Sequence, residues 1–444
     1  MVTVRSVLSK SVHNACQKFD GLMTRSQIGN LREMTLGMFL GESSRLSIIG
    51  AQVSDHVTPR KNTERYSRTL ERIDISSCTK RHIACSASGF RNEAVLMLCD
   101  GGDMQKKHAR VMEHVCKTVD GSNGHAVGRG YPTFACIAYG LSSKRQMPLC
   151  HHLYSTITHD FKSQWAEQKS CYEWTKPFLE GSAFDRIYVN DRGGDDEKQF
   201  LFILNELYAS FLTRIKTGEK SRKLCSMRDG EIDEAISVET IALQMSAKAG
   251  AAKQWKNKKI RKICTSRIAW QEVRLPGHSE IPLFLVLVYT EGFAEPMVLL
   301  TDIDVRDAPK AWAVFFWYKK RWEVENFFRA IKQQFGAEKF LILSFAAIRA
   351  LAFVQMLAFS LLLKIREMAQ ELFVMLFSAF QAFCRKWQRS KESHMDLLHW
   401  LREQWQSSSR RESYSYRTWS KRMYDCLSGK PTDSEKDFLP IGKW

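Results

Sequence analysis

Two strand-like runs, each followed by an aspartate, constrain this chain more than any other feature. The first, AVLMLC from Ala94 to Cys99, is continuously apolar and stops at Asp100. The second, FDRIYVN over 184–190, stops at Asp191. Short apolar runs are typical of buried strands, and α/β folds usually place ligands where such strands leave the sheet. We therefore expect both carboxylates to lie where a buried strand emerges from a sheet.

The order of the other elements indicates an α/β fold with helical flanks. Residues 1–90 predict helices, including a capped one from Thr58 to Ile73 with proline in its first turn. Further strands are expected at 131–139, 147–154, 211–216, 236–244, 267–275, 281–289 and 296–303. Helices are expected near 162–179 and 197–208, and over most of the chain after Val305. Strands and helices in this order are typical of α/β architecture.

The charge balance favours a polyanionic partner. The chain has 66 Lys+Arg against 48 Asp+Glu, a net charge of +18 and a pI near 9.4, which suggests nucleic acid first and an anionic membrane second. Residues 247–274 carry nine Lys/Arg and one Glu, with Trp255 and Trp270 interleaved. That composition suits a surface that follows a nucleic-acid backbone, although a solvated charged loop has the same composition.

Secretion, zinc binding and membrane insertion are all disfavoured. The 12 cysteines form no CxxC pair, and the N-terminus lacks the apolar core of a signal peptide, so reduced thiols in the cytosol are expected. Cys150-His151-His152 has no second ligand cluster at zinc spacing. The apolar stretch from Ala346 to Leu363 contains Arg349 and Gln355, which favours a buried core helix over a membrane span.

The segment from Asp307 to Phe335 carries the most specific pattern. We predict one long helix here, on which Tyr318, Arg321, Glu325 and Lys332 stand at offsets 0, 3, 7 and 14. With 3.6 residues per turn these four side chains form one polar stripe, which is unsuited to a core seam. Arg321 and Glu325 also have the spacing of an ordinary i,i+4 ion pair.

The pattern Tyr-x2-Arg-x3-Glu-x6-Lys resembles the signature of bacterial insertion-sequence transposases of the IS4 type. Two flanking stretches, PMVLLTDIDV and AAIRALAFVQMLAFSLLLKI, also resemble that family. Around the first aspartate, Asp100, Asp103 and Lys106 match its Asp-x-x-Asp-x-x-Lys pattern. Asp191, with the Arg-Gly after it, matches its second aspartate. The resemblance covers roughly residues 90–365.

The resemblance implies a fold and a division into domains. The expected fold is α/β, with an RNase H-like catalytic core, an all-β insertion and helical N- and C-terminal regions. The implied divisions are a first core part at 91–216, a β insertion at 217–305 and a helical core part with the catalytic glutamate at 306–370. The basic, helical character of 1–90 predicts a DNA-binding region there, although solvated surface helices have the same character. Residues 371–444 are expected to be a helical region that serves dimerisation.

The resemblance also implies an active site. Asp100, Asp191 and Glu325 would be catalytic and would hold two Mg²⁺ or Mn²⁺ ions, with Asp100 bridging them. Hard oxygen ligands suit these metals, and two ions suit phosphodiester cleavage. Side chains at five further positions would contact DNA: Tyr318, Arg321, Lys332, Arg214 and Lys216. Asp195 or Asp196 is expected to cap the helix after Asp191.

The function implied is cut-and-paste DNA transposition. The partners would be double-stranded DNA, as terminal inverted repeats and as target, and a second copy of the chain; no membrane is expected. The enzyme would act in a bacterial cytoplasm, associated with the nucleoid. Three alternatives remain open at this point: an RNase H-like nuclease without strand transfer, a domesticated non-catalytic DNA-binding protein and, more remotely, a membrane-bound basic protein.

Overall fold

A computed structural model of the chain describes residues 4–53, 57–120, 126–176, 185–218, 221–228, 231–250, 252–257 and 262–375. The chain divides into two compact units. The first contains the chain up to Cys78, the short segment Val111–Glu113 and the chain from Arg329 onward. The second contains Thr79–Arg110 and His114–Phe328. Most of the segment 371–444, the expected dimerisation region, lies outside the described residues.

Eleven helices are described: α1 (Val4–Gln17), α2 (Arg25–Gly41), α3 (Leu46–Val53), α4 (Pro59–Glu71), α5 (Ile75–Ala87), α6 (Gln164–Trp174), α7 (Glu197–Asn205), α8 (Val238–Ser246), α9 (Ala308–Lys319), α10 (Trp322–Gln333) and α11 (Phe345–Met375). Twelve strands are described: β1 (Val95–Gln105), β2 (Cys116–Asp120), β3 (Ala126–Gly140), β4 (Gln146–Leu153), β5 (Arg186–Asn190), β6 (Ser210–Arg214), β7 (Lys223–Arg228), β8 (Glu231–Ser237), β9 (Lys253–Asn257), β10 (Lys262–Leu275), β11 (His278–Thr290) and β12 (Met297–Thr301).

All twelve strands belong to one mixed sheet in the second unit. Its main path runs β2-β3-β1-β5-β6-β12-β11-β10-β7-β8, while β4 pairs with β3 and β9 pairs with β10. Only the β1–β5 and β5–β6 pairs are parallel among the described ones. The prediction of an α/β fold is confirmed, since helices accompany this large mixed sheet. The strands predicted at 131–139 and 147–154 are confirmed, and they pair with each other as β3 and β4.

The first predicted strand is longer than its apolar run indicated. β1 continues past Asp100 as far as Gln105, because β3 pairs with it over its whole length. Its pairing with β5 ends earlier, at Leu98 opposite Val189. Asp100 therefore lies inside β1, in the part of the strand that pairs with β3 but not with β5. Strand β2, which pairs with β3, was not predicted at all.

The prediction of a strand at 236–244 is wrong. β8 ends at Ser237, which caps helix α8: its side chain accepts a hydrogen bond from the backbone N–H of Thr240. The buried residues of α8 then recur at helical spacing, at Val238, Ile241, Ala242 and Met245. A helical period therefore determines this segment, and the predicted all-β character of 217–305 does not hold.

The single long helix predicted from Asp307 to Phe335 is also wrong. α9 ends at Lys319 and α10 begins at Trp322. Across the break the backbone makes i→i+3 hydrogen bonds, including Arg321 N–H to the Tyr318 carbonyl at 2.9 Å. Such bonds are typical of a tightened 3₁₀-type turn and interrupt the α-helical hydrogen-bond pattern. The predicted polar stripe is therefore not one continuous helix face.

The first unit is helical and is centred on α11. Phe353 of α11 packs edge-on against Phe19, with ring centroids 5.6 Å apart. The buried Gln355 donates a 2.8 Å hydrogen bond to the Ser44 hydroxyl, which in turn donates to the Phe335 carbonyl at 2.7 Å. The segment 345–367 is long and apolar enough to cross a membrane, but 89% of its most apolar window is buried. The predicted buried core helix is confirmed.

The close approach of β3 to β1 at Gly130 allows the register of these two strands to be tested. A Cβ on Gly130 of β3 would stand 2.0 Å from the Met104 carbonyl oxygen of β1, whereas one on Gly101 would meet nothing nearer than 3.9 Å. Gly130→Ala should therefore cost about 1–3 kcal/mol in the free energy of unfolding, because a backbone atom must move. Gly101→Ala is the control and should cost clearly less. Urea unfolding of the two variants compares them, and equal losses would contradict the strand register.

Candidate active site

The two predicted aspartates lie side by side at one end of the parallel strands. The last β1–β5 pair joins Leu98 to Val189, and Asp100 and Asp191 each come two residues later. The two carboxylates are close enough for Asp191 to act electrostatically on Asp100. Sequence reasoning placed both aspartates at strand ends. The structure brings them together, with Asp191 directly after β5 and Asp100 inside β1, beyond the part that pairs with β5.

Local hydrogen bonds orient the loop that carries Asp191. Its Oδ1 accepts a 2.8 Å bond from the Gly193 N–H and so caps a single 3₁₀ turn. Asp196 caps α7 by accepting from the Lys198 N–H at 3.0 Å, which confirms one of the two predicted caps. Asp195 instead is buried and pairs with Arg222 at 2.7 Å. These contacts hold the residues on the C-terminal side of Asp191 in place.

Arg321 links the first aspartate to the predicted catalytic glutamate. Its Nη1 donates to Asp100 Oδ2, and its Nη2 donates to Glu325 Oε1 at 2.7 Å. The side chains of Arg321 and Asp100 are each 14% exposed, and that of Glu325 is 31% exposed. The i,i+4 ion pair of Arg321 with Glu325 that the sequence suggested therefore exists. The same guanidinium also pairs with Asp100, so it joins β1 to the start of α10.

Aromatic packing holds the start of α10 against the sheet. The Phe328 ring lies so close to Gly102 of β1 that a Cβ there would stand 3.0 Å from two ring atoms. Phe327 is fully buried, and its ring meets His151 of β4 edge-on at 5.3 Å. Glu325 belongs to the same helix, α10, two residues before Phe327. Gly102 thus permits the close approach that brings the glutamate to the aspartates.

The three carboxylates form a site with unbalanced negative charge. Burial raises the pKa of Asp100 to about 7; Arg321 opposes this shift, while Asp191 and Glu325 add to it. For Arg321, burial alone lowers the pKa, but the neighbouring Asp100, Tyr318 and Glu325 outweigh it and raise the pKa. One guanidinium therefore faces three carboxyl groups. Carboxylate oxygens are the donors that Mg²⁺ prefers. Among the described residues, however, no three acidic, histidine or cysteine side chains stand close enough to hold a metal ion as they are, and Arg321 lies between Asp100 and Glu325.

Two further predicted DNA-contacting side chains lie beside this bridge. Tyr318, at the end of α9, is 5% exposed and sits next to the guanidinium groups of Arg214 and Arg321. Burial raises the pKa of its hydroxyl, and both arginines oppose that shift. Arg214 ends β6, and its buried Nε has no hydrogen-bond partner among the described residues. An unsatisfied buried guanidinium nitrogen beside Tyr318 and Arg321 suits an anionic ligand.

The remaining two predicted residues are placed differently. The side chain of Lys216 is exposed, and its backbone N–H donates to Asp195 at 2.9 Å. Lys332 stands in the last turn of α10, in the first unit, where its Nζ lies 3.3 Å from Glu338. Its predicted contact with phosphate stays a prediction, as does that of Lys216.

Sequence reasoning missed the contacts that assemble the site. Nothing local signals that Arg321 reaches Asp100, which is 221 positions away. Gly102 could have been suspected, because glycine inside an apolar strand often marks a close approach. The Asp195–Arg222 pair had no sequence signal beyond the acidic cluster itself.

Comparison with protein-family models identifies the family of this chain. The family model described as "Transposase DDE domain" matches residues 114–361, more than half of the 444-residue chain. The matched segment includes Asp191 and Glu325 and begins after Asp100. No curated protein matches the chain.

The raised pKa of Asp100 has a consequence for the metal-free protein. An unfolded aspartate titrates near about 3.9, so from about pH 4 to pH 7 the folded state binds more protons than the unfolded state. Stability must then fall as pH rises through this window. Asp100→Asn cannot ionise and escapes this loss. The free energy of unfolding of the variant minus that of wild type should therefore be about 1–4 kcal/mol larger at about pH 8 than at about pH 4.

Thermal or urea unfolding in EDTA at the two pH values measures this gain. Taking the difference between variant and wild type at each pH cancels the other titrating groups. A difference that is the same at both pH values would show that Asp100 is not a desolvated acid.

Proposed function

From the premise that this chain belongs to the transposase DDE-domain family, we propose that it is a cut-and-paste DNA transposase of the insertion-sequence type. It would bind the terminal inverted repeats of its element, cut the DNA there and join the ends to target DNA. The observation that carries the proposal is the convergence of Asp100, Asp191 and Glu325 around Arg321. We also propose that the strands around Asp100 form an RNase H-like core, with which the mixed α/β sheet is compatible.

The three carboxylates would hold two divalent ions, Mg²⁺ or Mn²⁺. When bound, such ions stabilise the negative charge of the reacting phosphate and activate a water or a 3′-hydroxyl as nucleophile. The protein contributes three oxygen donors from β1, the loop after β5 and α10. Phe327, Phe328 and the Gly193 hydrogen bond keep two of these donors in place.

Arg321 would have two partners during the reaction. In the structure it neutralises part of the charge of Asp100 and Glu325. Asp100 and Glu325 would also be ligands of the divalent ions, and the Arg321 guanidinium would then be available to a phosphate oxygen, for which its planar donors are suited. It would thus keep the carboxylates together before metal binding and contact DNA afterwards.

Tyr318, Arg214, Lys216 and Lys332 would supply further DNA contacts. The unpartnered Arg214 Nε supports this for one of them, since a phosphate oxygen would satisfy it. We further propose that the protein pairs with a second copy on DNA, because two transposon ends must be joined together. It would act on DNA in a bacterial cytoplasm.

An RNase H-like nuclease would use the same carboxylates without joining ends. A strand-transfer assay with pre-cut terminal DNA separates the two functions. Covalent joining of a labelled 3′ end to a target plasmid supports transposition, whereas cutting without joining supports the nuclease.

The carboxylates should be indispensable for cleavage but not for DNA binding. In Mg²⁺, Asp100→Asn, Asp191→Asn and Glu325→Gln should each fail to cut a plasmid that carries the coding region with its flanking DNA, because each removes a metal ligand. Gel-shift binding of the same DNA should persist. Asp103→Asn, three residues further along β1, is the matched control and should still cut. Normal cutting by any of the first three would remove that residue from the proposed site.

Arg321→Ala should slow the chemistry without weakening metal binding. Loss of a charge-assisted phosphate contact is worth about 1.5–3 kcal/mol, or a rate loss of about tenfold to 150-fold at saturating Mg²⁺. The half-saturating Mg²⁺ concentration should stay the same or fall, because a competitor for Asp100 and Glu325 has gone. Cleavage rates over a Mg²⁺ series measure both quantities.

The exposed Arg91 provides a control arginine in the same unit, and Arg91→Ala should leave both quantities unchanged. Circular dichroism confirms folding of both variants. If Arg321→Ala instead cleaved at the wild-type rate, Arg321 would be a structural ion pair and the proposed phosphate contact would be lost.

A further inference from the structure

Three buried side chains of the second unit form a hydrogen-bonded chain next to Asp191. The Tyr172 hydroxyl, on α6, donates to Asn190 Oδ1 at 2.7 Å, and Gln199 Nε2, on α7, donates to the same hydroxyl at 2.9 Å. None of these three residues is more than 3% exposed. We name them the Tyr172 triad.

The triad joins the two ends of the loop 191–196, which carries Asp191. Asn190 is the last residue of β5 and directly precedes Asp191, whereas Gln199 lies in the first turn of α7, after the loop. Tyr172 belongs to neither element, yet its hydroxyl bonds to both. The two ends of the loop are thus tied to one fixed group, which restricts the conformations that the loop can adopt.

Close packing connects the triad to the turn after Asp191. Gly194 is buried in this turn, and a Cβ on it would stand 2.6 Å from the Asn190 Cβ and 3.0 Å from Gln199 Nε2. The Gly194 N–H donates to the Asp191 carbonyl at 3.0 Å, and the Gly193 N–H donates to the Asp191 carboxylate at 2.8 Å. The turn that orients the carboxylate therefore rests directly on two members of the triad.

The Tyr172 hydroxyl supplies hydrogen bonds that the packing of its ring does not need. The ring packs against Phe134 at 5.6 Å and Tyr188 at 5.3 Å, contacts that a phenylalanine would also make. Burial raises the pKa of the hydroxyl, so it stays protonated and can donate. Among the described residues, it is the only hydrogen-bond partner of the Asn190 side chain. Its loss would leave buried polar atoms of Asn190 unsatisfied, which is costly.

We propose that Tyr172 is a positioning residue for the candidate active site, whose hydroxyl acts through Asn190 and Gln199 to hold the Asp191 carboxylate in place for a divalent ion. The inference rests on the proposed function, since Asp191 is a metal ligand there. Groups that orient a metal ligand raise the affinity of the site for the metal. Tyr172 acts one step further out, through the neighbours of the ligand.

Tyr188 provides a matched control in the same aromatic cluster. It is fully buried, its ring stands edge-on to that of Tyr172, and its hydroxyl hydrogen-bonds to the Thr175 hydroxyl at 2.6 Å. That bond lies at the end of α6 and involves no residue of the loop 191–196. Tyr172→Phe and Tyr188→Phe therefore each remove one buried hydroxyl, but only the first removes a contact to the ends of the loop.

Amide hydrogen exchange of the full chain without metal measures the order of the loop. In Tyr172→Phe the segment 191–199 should exchange at least about fivefold faster than in wild type, since a buried hydrogen bond contributes about that factor to local opening. In Tyr188→Phe, exchange of the same segment should stay within about twofold of wild type.

Mn²⁺ binding, followed by the electron paramagnetic resonance signal of the free ion, measures the consequence for the site. Tyr172→Phe should raise the Mn²⁺ dissociation constant about threefold to tenfold, less than the roughly 10–100-fold that is usual for a direct partner of a ligand. Tyr188→Phe should leave it within about twofold. Gln199→Met removes the other hydrogen bond of the hydroxyl, should shift the constant in the same direction and takes the place of Tyr172→Phe should that variant misfold.

The proposal requires both changes in Tyr172→Phe, beyond any in Tyr188→Phe. Either change alone would overturn it, because loop order and metal binding would then be unconnected. Asp191→Asn distinguishes this failure from that of the proposed function. Wild-type Mn²⁺ binding by Asp191→Asn would remove Asp191 from the proposed metal site. Loss of binding in Asp191→Asn but not in Tyr172→Phe would overturn the positioning role alone.

Discussion

The ion pairs that Arg321 makes with Asp100 and Glu325 are the interaction on which the rest of the candidate site depends. Three carboxyl groups in a partly buried site repel one another, and desolvation penalises the charge on each. A single guanidinium offsets part of this cost and ties a strand of the sheet to the start of α10. Removing Arg321 alone would leave the charges of Asp100 and Glu325 without a cationic partner, which is costly in a partly buried site.

The bridge starts in the break between α9 and α10. Arg321 lies in the turn between α9 and α10, where its backbone is held by i→i+3 hydrogen bonds. Tyr318 before the turn faces Arg214, while Glu325 after it faces the aspartates. The packing of Phe328 on Gly102 then fixes the distance between α10 and β1. A desolvated acid with a raised pKa, as Asp100 is, is typical of functional sites.

Local signals predicted much of this molecule, and long-range contacts account for what they missed. The apolar run before Asp100, the cap at Thr58 and the cap at Asp196 depend on neighbouring residues, and all three are present. The continuation of β1 to Gln105 depends on β3, some 30 residues away, so the run alone could not reveal it.

The helix break shows the same limit at the site itself. No proline or glycine marks it, and Lys-Lys-Arg-Trp is compatible with a continuous helix, so tertiary packing overrides propensity. The polar stripe nevertheless pointed to the correct neighbourhood, because Tyr318, Arg321 and Glu325 do lie together. Lys332 falls in the other unit, and the stripe gave no sign of that.

The central claim is that Asp100, Asp191 and Glu325 together bind a divalent cation. Titration of the full chain with Mn²⁺, monitored by the electron paramagnetic resonance signal of the free ion, tests it most directly. The account predicts saturable Mn²⁺ binding by the wild-type protein that is lost in a folded Asp100→Asn/Asp191→Asn/Glu325→Gln variant. Equal binding by both proteins would contradict it, because the cation would then be held elsewhere.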